Sequence, residues 1–167
     1  MLKCKRTHML AAPLLGLLLV VSQVWAGSLI WSGSVNTCTV INCNATPIFG
    51  VYMADQAGEQ DPFTTQVWAA EGICLRLDMV GSNEPDQDVK MVLVAPDGKV
   101  YRDDDRAPGL HLPLIEVAQT PITGWYTLQV YRFNGRLANG DHRLFTLLYG
   151  LYNAENPNCN DLPTRDL

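Results

Sequence analysis

Short runs of β-branched, aromatic and aliphatic residues, broken by Gly, Pro, Asn and Asp, recur along the chain from residue 28 to residue 152. Runs of this kind are typical of strands, and the residues between them favour turns. No amphipathic stretch of helical period is long enough to compete. About nine strands with frequent turns predict an all-β fold, an antiparallel β-sandwich of eight or nine strands. The predicted strands are 28–35, 48–53, 63–69, 73–80, 89–95, 99–102, 112–118, 125–133 and 143–152.

The amino terminus has the pattern of a signal peptide. Three basic residues precede the apolar run 9–21, and Val24-Trp25-Ala26 places small or branched residues before a cleavage point. The run of 13 residues is shorter than the ~20 that a membrane-spanning helix needs. We therefore predict that residues 1–26 are removed, that the mature chain begins near Gly27, and that it is secreted or periplasmic.

Charge narrows the classes of partner. The predicted signal peptide contains three of the 12 Lys and Arg residues and none of the 17 Asp and Glu residues. Without it, nine basic and 17 acidic residues give a net charge of −8. A surface of this sign repels phosphate backbones and anionic lipid. The sequence thus predicts no nucleic-acid partner, and no membrane partner after signal cleavage.

Four cysteines remain after signal cleavage: Cys38, Cys43, Cys74 and Cys159. An even number in an exported chain predicts two disulfides, for which three pairings exist. Strand phase favours one of them. Ile73, Leu75, Leu77 and Met79 alternate toward the core, so Cys74 should point to the opposite face, where a flanking segment could be tied across it.

Cys159 in the carboxy-terminal tail is the preferred partner of Cys74, and Cys38 with Cys43 would then close a local loop; the other pairings stay open. A zinc site is the competing use of these thiols, but the chain has no Cys-x-x-Cys pair and its remaining histidines are far from any cysteine.

The second half of the chain resembles the pre-peptidase C-terminal domain family. The pattern begins at Gly72 and continues through 89–101 with its Pro96-Asp97-Gly98 turn. It ends with an acidic turn at 103–105 and the strand that starts Gly124-Trp-Tyr. The resemblance covers residues 61–150 and implies a secreted, jelly-roll-like sandwich with an accessory role. The cysteines and residues 27–60 depart from it, and no peptidase sequence accompanies it here.

The resulting domain organisation has four parts: a signal peptide at 1–26, a covering segment with the first strands at 27–60, the family-like core at 61–152, and an irregular tail at 153–167 tied by a disulfide.

Motifs that carry catalysis are not found: the sequence lacks Gly-x-Ser-x-Gly, His-Glu-x-x-His and the phosphate-binding glycine loop. His111 and His142 each adjoin a turn and are predicted to be solvated. Asp103, Asp104 and Asp105, with Asp86 and Asp88, could in principle hold calcium, yet their spacing fits no calcium loop and Asp is common in turns. We predict no metal and no cofactor.

One strand offers a candidate ligand site. Tyr126, Leu128 and Val130 take the core phase of strand 125–133, which leaves its other side chains on the opposite face. Aromatic rings beside hydroxyl and amide groups suit a ligand such as a sugar, unless the covering segment hides them. The candidate ligand-binding residues are Trp125, Thr127, Gln129 and Tyr131.

These observations predict a non-catalytic binding or accessory module for carbohydrate or for an extracellular or periplasmic protein. A structural or assembly role in the cell envelope is the alternative, and an unrecognised hydrolase is a further one.

Overall fold

A computed structural model describes residues 28–29, 38, 40–54, 60–82, 88–106, 111–133 and 142–160. The predicted signal peptide lies outside these residues, as do the turn residues 134–140 and part of the first predicted strand. No helix in these ranges is long and apolar enough to cross a membrane.

The described residues form ten strands and one short 3-10 helix at Pro157–Cys159. Eight of the strands correspond to predicted ones. Phe63–Ala69 has the predicted ends, and the other seven differ by at most two residues at either end. The ninth predicted strand is described only at Ser28–Leu29, and Gln60–Asp61 was not predicted because two residues carry no periodic signal. The strands are β1 Ser28–Leu29, β2 Thr46–Ala54, β3 Gln60–Asp61, β4 Phe63–Ala69, β5 Cys74–Ser82, β6 Val89–Val94, β7 Val100–Asp103, β8 Leu114–Val117, β9 Gly124–Arg132 and β10 His142–Tyr152.

The strands build two five-stranded sheets, which confirms the predicted sandwich. The first sheet has the order β1-β4-β9-β6-β7, and the second has β3-β2-β10-β5-β8. All pairings are antiparallel except the two-residue pairing of β1 with β4. Without the two-residue strands, the orders β4-β9-β6-β7 and β2-β10-β5-β8 are those of a jelly roll. The first and last long strands are neighbours, and successive strands alternate between the sheets except at the β6–β7 hairpin.

Local chemistry fixes the hairpin between β6 and β7. Gly98 has φ +88° and its N–H donates to the carbonyl of Ala95 at 2.9 Å, as the predicted Pro-Asp-Gly turn requires. The Asp97 carboxylate accepts from the backbone N–H of Lys99 at 3.1 Å. This turn sets the register of two strands in the first sheet.

The core lies between the sheets and follows the period-two phase of the strands. Leu75, Leu77 and Met79 of β5 are buried against Tyr126, Leu128 and Val130 of β9, as predicted from alternation. Phe145 of β10 stands edge-on to Phe63 with ring centroids 5.0 Å apart. Gly50 of β2 is buried beside them, and a side chain there would overlap the Phe145 ring.

Two disulfides join Cys38 with Cys43 and Cys74 with Cys159, which are the preferred pairs. Cys74, Cys159 and Tyr152 form a small buried cluster of their own, outside the main core. Because disulfides persist in oxidising compartments, the protein is secreted or periplasmic.

Candidate functional site

The outer face of β5 is buried, although strand phase places it away from the core. Arg76 and Asp78 are 2% and 1% exposed, and Glu116 of the neighbouring β8 is also buried. Arg76 donates to Glu116 at 3.2 Å and to Asp78 at 3.0 Å. Buried charges of this kind are tolerated only when they are paired and hydrogen-bonded.

Two disulfide-tied segments cover these charges. Asn42, in the turn beside Cys43, accepts from Arg76 Nε at 3.1 Å and donates to Asp78 at 2.7 Å. In the tail, the carbonyl of Asn158 accepts from Arg76 at 3.1 Å. Arg106, which follows β7, also contacts Asp78. The outer face of β5 beside Cys74 is thus covered by the turn that contains Asn42 and by the tail that contains Asn158.

An exposed apolar patch lies on the same sheet. Phe49 and Val51 of β2 stand opposite Thr146 and Leu144 of β10. Phe49 is 72% exposed and Leu144 is 52% exposed. Val80 of β5 is exposed on the adjoining strand, next to the register shift at Thr146 and Leu147. We call Phe49, Val51, Val80 and Leu144 the apolar patch.

An open depression of about 370 Å³ lies within the apolar patch, between Phe49 and Leu144. Gly81 and Ser82 of β5 also line it. A Cβ atom on Gly81 would meet no atom within 4 Å, so the space beside this glycine is open.

Sequence reasoning missed the apolar patch. The run from Ile48 to Met53 is apolar at both phases, and such runs normally indicate a strand buried on both faces. Only the inward phase, Ile48 and Tyr52, is buried in the core. One sequence feature could have indicated the patch: in this acidic chain, residues 48–53 include no charged side chain on either face of the strand.

The four predicted ligand-binding residues share the outer face of the first sheet. Trp125 is 36% exposed, and Thr127, Gln129 and Tyr131 are half-buried. The described residues that cover β5, around Asn42 and Asn158, lie on the second sheet and not on this face. The sequence did not single out Trp68 of β4, which is directly opposite Trp125 in the sheet register.

Four of the predicted acidic residues, Asp88, Asp103, Asp104 and Asp105, lie near one another at one end of the sandwich, and the fifth, Asp86, is outside the described residues. Burial, together with the charges of Asp104 and Asp105, raises the pKa of Asp103, and burial together with Asp105 does the same for Asp88. His111 Nδ1 lies 2.8 Å from Asp105 Oδ1, and both side chains are about half exposed. In the described parts of the chain no group of three or more His, Cys, Asp or Glu side chains is placed to hold a metal ion.

No protein-family model and no curated protein matches the chain. Among solved structures, it is similar to PliG of Aeromonas hydrophila, a periplasmic inhibitor of g-type lysozyme, at 18% identity and a TM-score of 0.47, over 65% of this chain and 89% of that one. It is also similar to the PliG inhibitor of Salmonella Typhimurium at 15% identity and a TM-score of 0.43, over 74% and 96% of the chains. Likenesses at this level identify neither a family nor a partner for this chain.

Proposed function

We propose that this chain is a non-catalytic exported module that binds another protein through the apolar patch. The observation that carries the proposal is the grouping of four exposed apolar side chains on one sheet face, two of which, Phe49 and Leu144, line an open depression. Exposed apolar residues are common singly, whereas a contiguous group with a cavity is typical of an interaction site.

The apolar patch lies on paired strands. β10 pairs with β2 on one side and, with a register shift at Thr146 and Leu147, with β5 on the other, and the Cys74–Cys159 disulfide ties one end of β5 to the tail. A pre-ordered surface loses little conformational entropy on binding. The apolar patch therefore suits recognition of a partner without rearrangement of this chain.

Charge indicates the kind of partner. The mature sequence is strongly acidic, and long-range attraction speeds the encounter with a protein of opposite sign. We assign the apolar patch to a cationic exported protein that inserts an apolar side chain into the depression. Membership of the pre-peptidase C-terminal domain family remains part of the proposal, supported by the turn and strand pattern of residues 61–150.

Binding of purified proteins to the immobilised mature chain tests the proposal. The probes are cationic secreted enzymes, with g-type lysozyme among them, and an acidic protein of similar size as the negative control. We expect a cationic probe to bind with Kd in the micromolar range or tighter, and the double variant Phe49→Ser/Leu144→Ser to weaken it by roughly tenfold or more, about 1.4 kcal/mol.

The matched control is Ile122→Ser. Ile122 is an apolar residue in the loop before β9, away from the apolar patch, and its side chain is 36% exposed. This variant should bind as the unchanged protein does. Equal binding by the double variant, or no binding of any cationic probe, would refute the apolar patch as a protein-binding surface. A structural role in the envelope would then become the better explanation.

A further inference from the structure

The outer face of the first sheet carries a second, chemically different surface. Trp68 and Trp125 are directly opposed on β4 and β9, at a Cβ separation of about 4.5–5.5 Å for such cross-strand pairs. One step along the strands Gln66 faces Thr127, and Gln129 follows. The face thus presents two indole rings followed by amide and hydroxyl groups.

Tyr131 marks the far end of this face, six residues from Trp125 and about 20 Å away along the strand. Lys90 of β6 is its partner in the register, and the Lys90 ammonium lies 5.9 Å from the centre of the Tyr131 ring. Arg102 of β7 is exposed and close enough to lower the pKa of Tyr131, which burial raises. Two cations therefore flank one aromatic ring.

The sign of charge on this face is opposite to that of the whole chain. Among the outward strand positions of β4, β9, β6 and β7, Lys90 and Arg102 are the charged residues and none is acidic. Neither of them forms an ion pair with a described residue; Asp104 follows only after β7 ends. Asp88 and Asp104 lie two residues from Lys90 and Arg102 along the chain, outside β6 and β7, so the positive charges are at the strand positions of this face and the acidic charges begin where the strands end.

We propose that this face, defined by Trp68, Trp125, Gln129, Tyr131, Lys90 and Arg102, binds a polysaccharide that carries carboxylate groups. Sugar rings stack on the indoles, Gln129 and its neighbours bond their hydroxyl groups, and Lys90 with Arg102 receives a carboxylate. The binding goes beyond the protein-binding function and uses the opposite sheet. When both faces are occupied, the molecule holds its protein partner next to an acidic glycan.

Titration of the mature protein with oligogalacturonate tests the assignment, with a neutral galactan of similar length and polyglutamate as comparison probes. Oligogalacturonate should bind most tightly, and its Kd should rise with salt concentration. Trp125→Ala should weaken it by roughly tenfold, and the charge-removing pair Lys90→Gln/Arg102→Gln should reduce it to the affinity for galactan.

Two controls separate this proposal from the protein-binding one. Phe49→Ser/Leu144→Ser, on the opposite sheet, should leave oligogalacturonate binding unchanged, whereas Trp125→Ala should leave binding of the cationic protein unchanged. Lys90→Arg/Arg102→Lys, which keeps both charges, should retain most of the glycan affinity. If polyglutamate bound as tightly as oligogalacturonate, charge alone would be recognised. If galactan bound as tightly, the carboxylate would not be recognised. Either result overturns the assignment.

Discussion

The backbone N–H of Asn42 donates a hydrogen bond of 2.8 Å to the side-chain carbonyl of Asn158, 116 residues further along the chain. Asn42 lies in the segment closed by Cys38–Cys43, and Asn158 precedes Cys159. This contact joins the two disulfide-tied segments above Arg76. The cover of β5 is therefore one unit made from two distant parts of the sequence, and it secures the sheet that carries the apolar patch.

The two disulfides should contribute unequally to stability. Cys74 and Cys159 are 85 residues apart and Cys38 and Cys43 only 5. In the chain-entropy model, the long loop stabilises the fold by about 4–5 kcal/mol and the short one by about 2 kcal/mol. We expect Cys74→Ala/Cys159→Ala to lower the free energy of unfolding by more than Cys38→Ala/Cys43→Ala in chemical denaturation. Equal losses would contradict this ranking.

Removal of Arg76 should be among the most damaging single changes. Arg76→Met leaves Asp78 and Glu116 as buried carboxylates without their main cation, which costs about 3–5 kcal/mol in comparable buried pairs. Arg102→Met is the matched control, because Arg102 is exposed, and it should change stability by less than about 0.5 kcal/mol. Thermal or urea unfolding measures both; similar melting of the two variants would show that the network contributes little.

Alternation along β5 and β9 was enough to predict the core, since Leu75, Leu77, Tyr126 and Leu128 all occupy the expected face. The same alternation placed Cys74 correctly outside it. The charged network could not be predicted this way, because Arg76 and Asp78 have the pattern of an ordinary solvated face. Their burial depends on contacts with Asn42 and Asn158. These residues are far from β5 in the sequence, so strand alternation cannot predict the contacts.

The two candidate surfaces differ in the same way. Trp125 was singled out because its strand alternates clearly, and its opposition to Trp68 became evident only from the sheet register. Phe49 was not singled out, since an apolar run is equally compatible with a doubly buried strand. Which outward face stays open depends on where the covering segments cross, and this is a property of the tertiary structure.

Substitution at Gly50 should test the packing beneath the apolar patch. A Cβ atom there would overlap the Phe145 ring and lie 2.9 Å from Phe63 Cδ2. Gly50→Ala should therefore cost about 1–3 kcal/mol, as overpacked cores do. Gly81→Ala is the control in the same sheet, because its Cβ meets nothing within 4 Å, and it should unfold close to the unchanged protein. Comparable stabilities of the two variants would show that the Phe145 contact does not set the cost of a side chain at position 50.

Asp103 should make stability depend on pH in a direction opposite to that of a salt-bridged carboxylate. Burial raises the pKa of Asp103, and the charges of Asp104 and Asp105 add to the shift, while the Leu114 N–H, which donates to Asp103 at 2.8 Å, opposes it. A carboxyl whose folded pKa is raised favours the folded state when protonated. Its stabilising contribution is complete below the unfolded pKa and is lost as pH rises through the folded pKa.

Asp103→Asn removes the charge and keeps a carbonyl acceptor for the Leu114 N–H. We expect this variant to unfold at higher denaturant concentration than the unchanged protein at about pH 7, and the difference to shrink toward zero at about pH 3, where Asp103 is protonated in both states. Asp103→Ala, which lacks the acceptor, should be less stable than Asp103→Asn at every pH. Urea unfolding from pH 3 to pH 7 measures all three proteins. A gain from Asp103→Asn that grows as the pH falls would contradict the assigned direction of the pKa shift, because ionised Asp103 would then be the form that the fold favours.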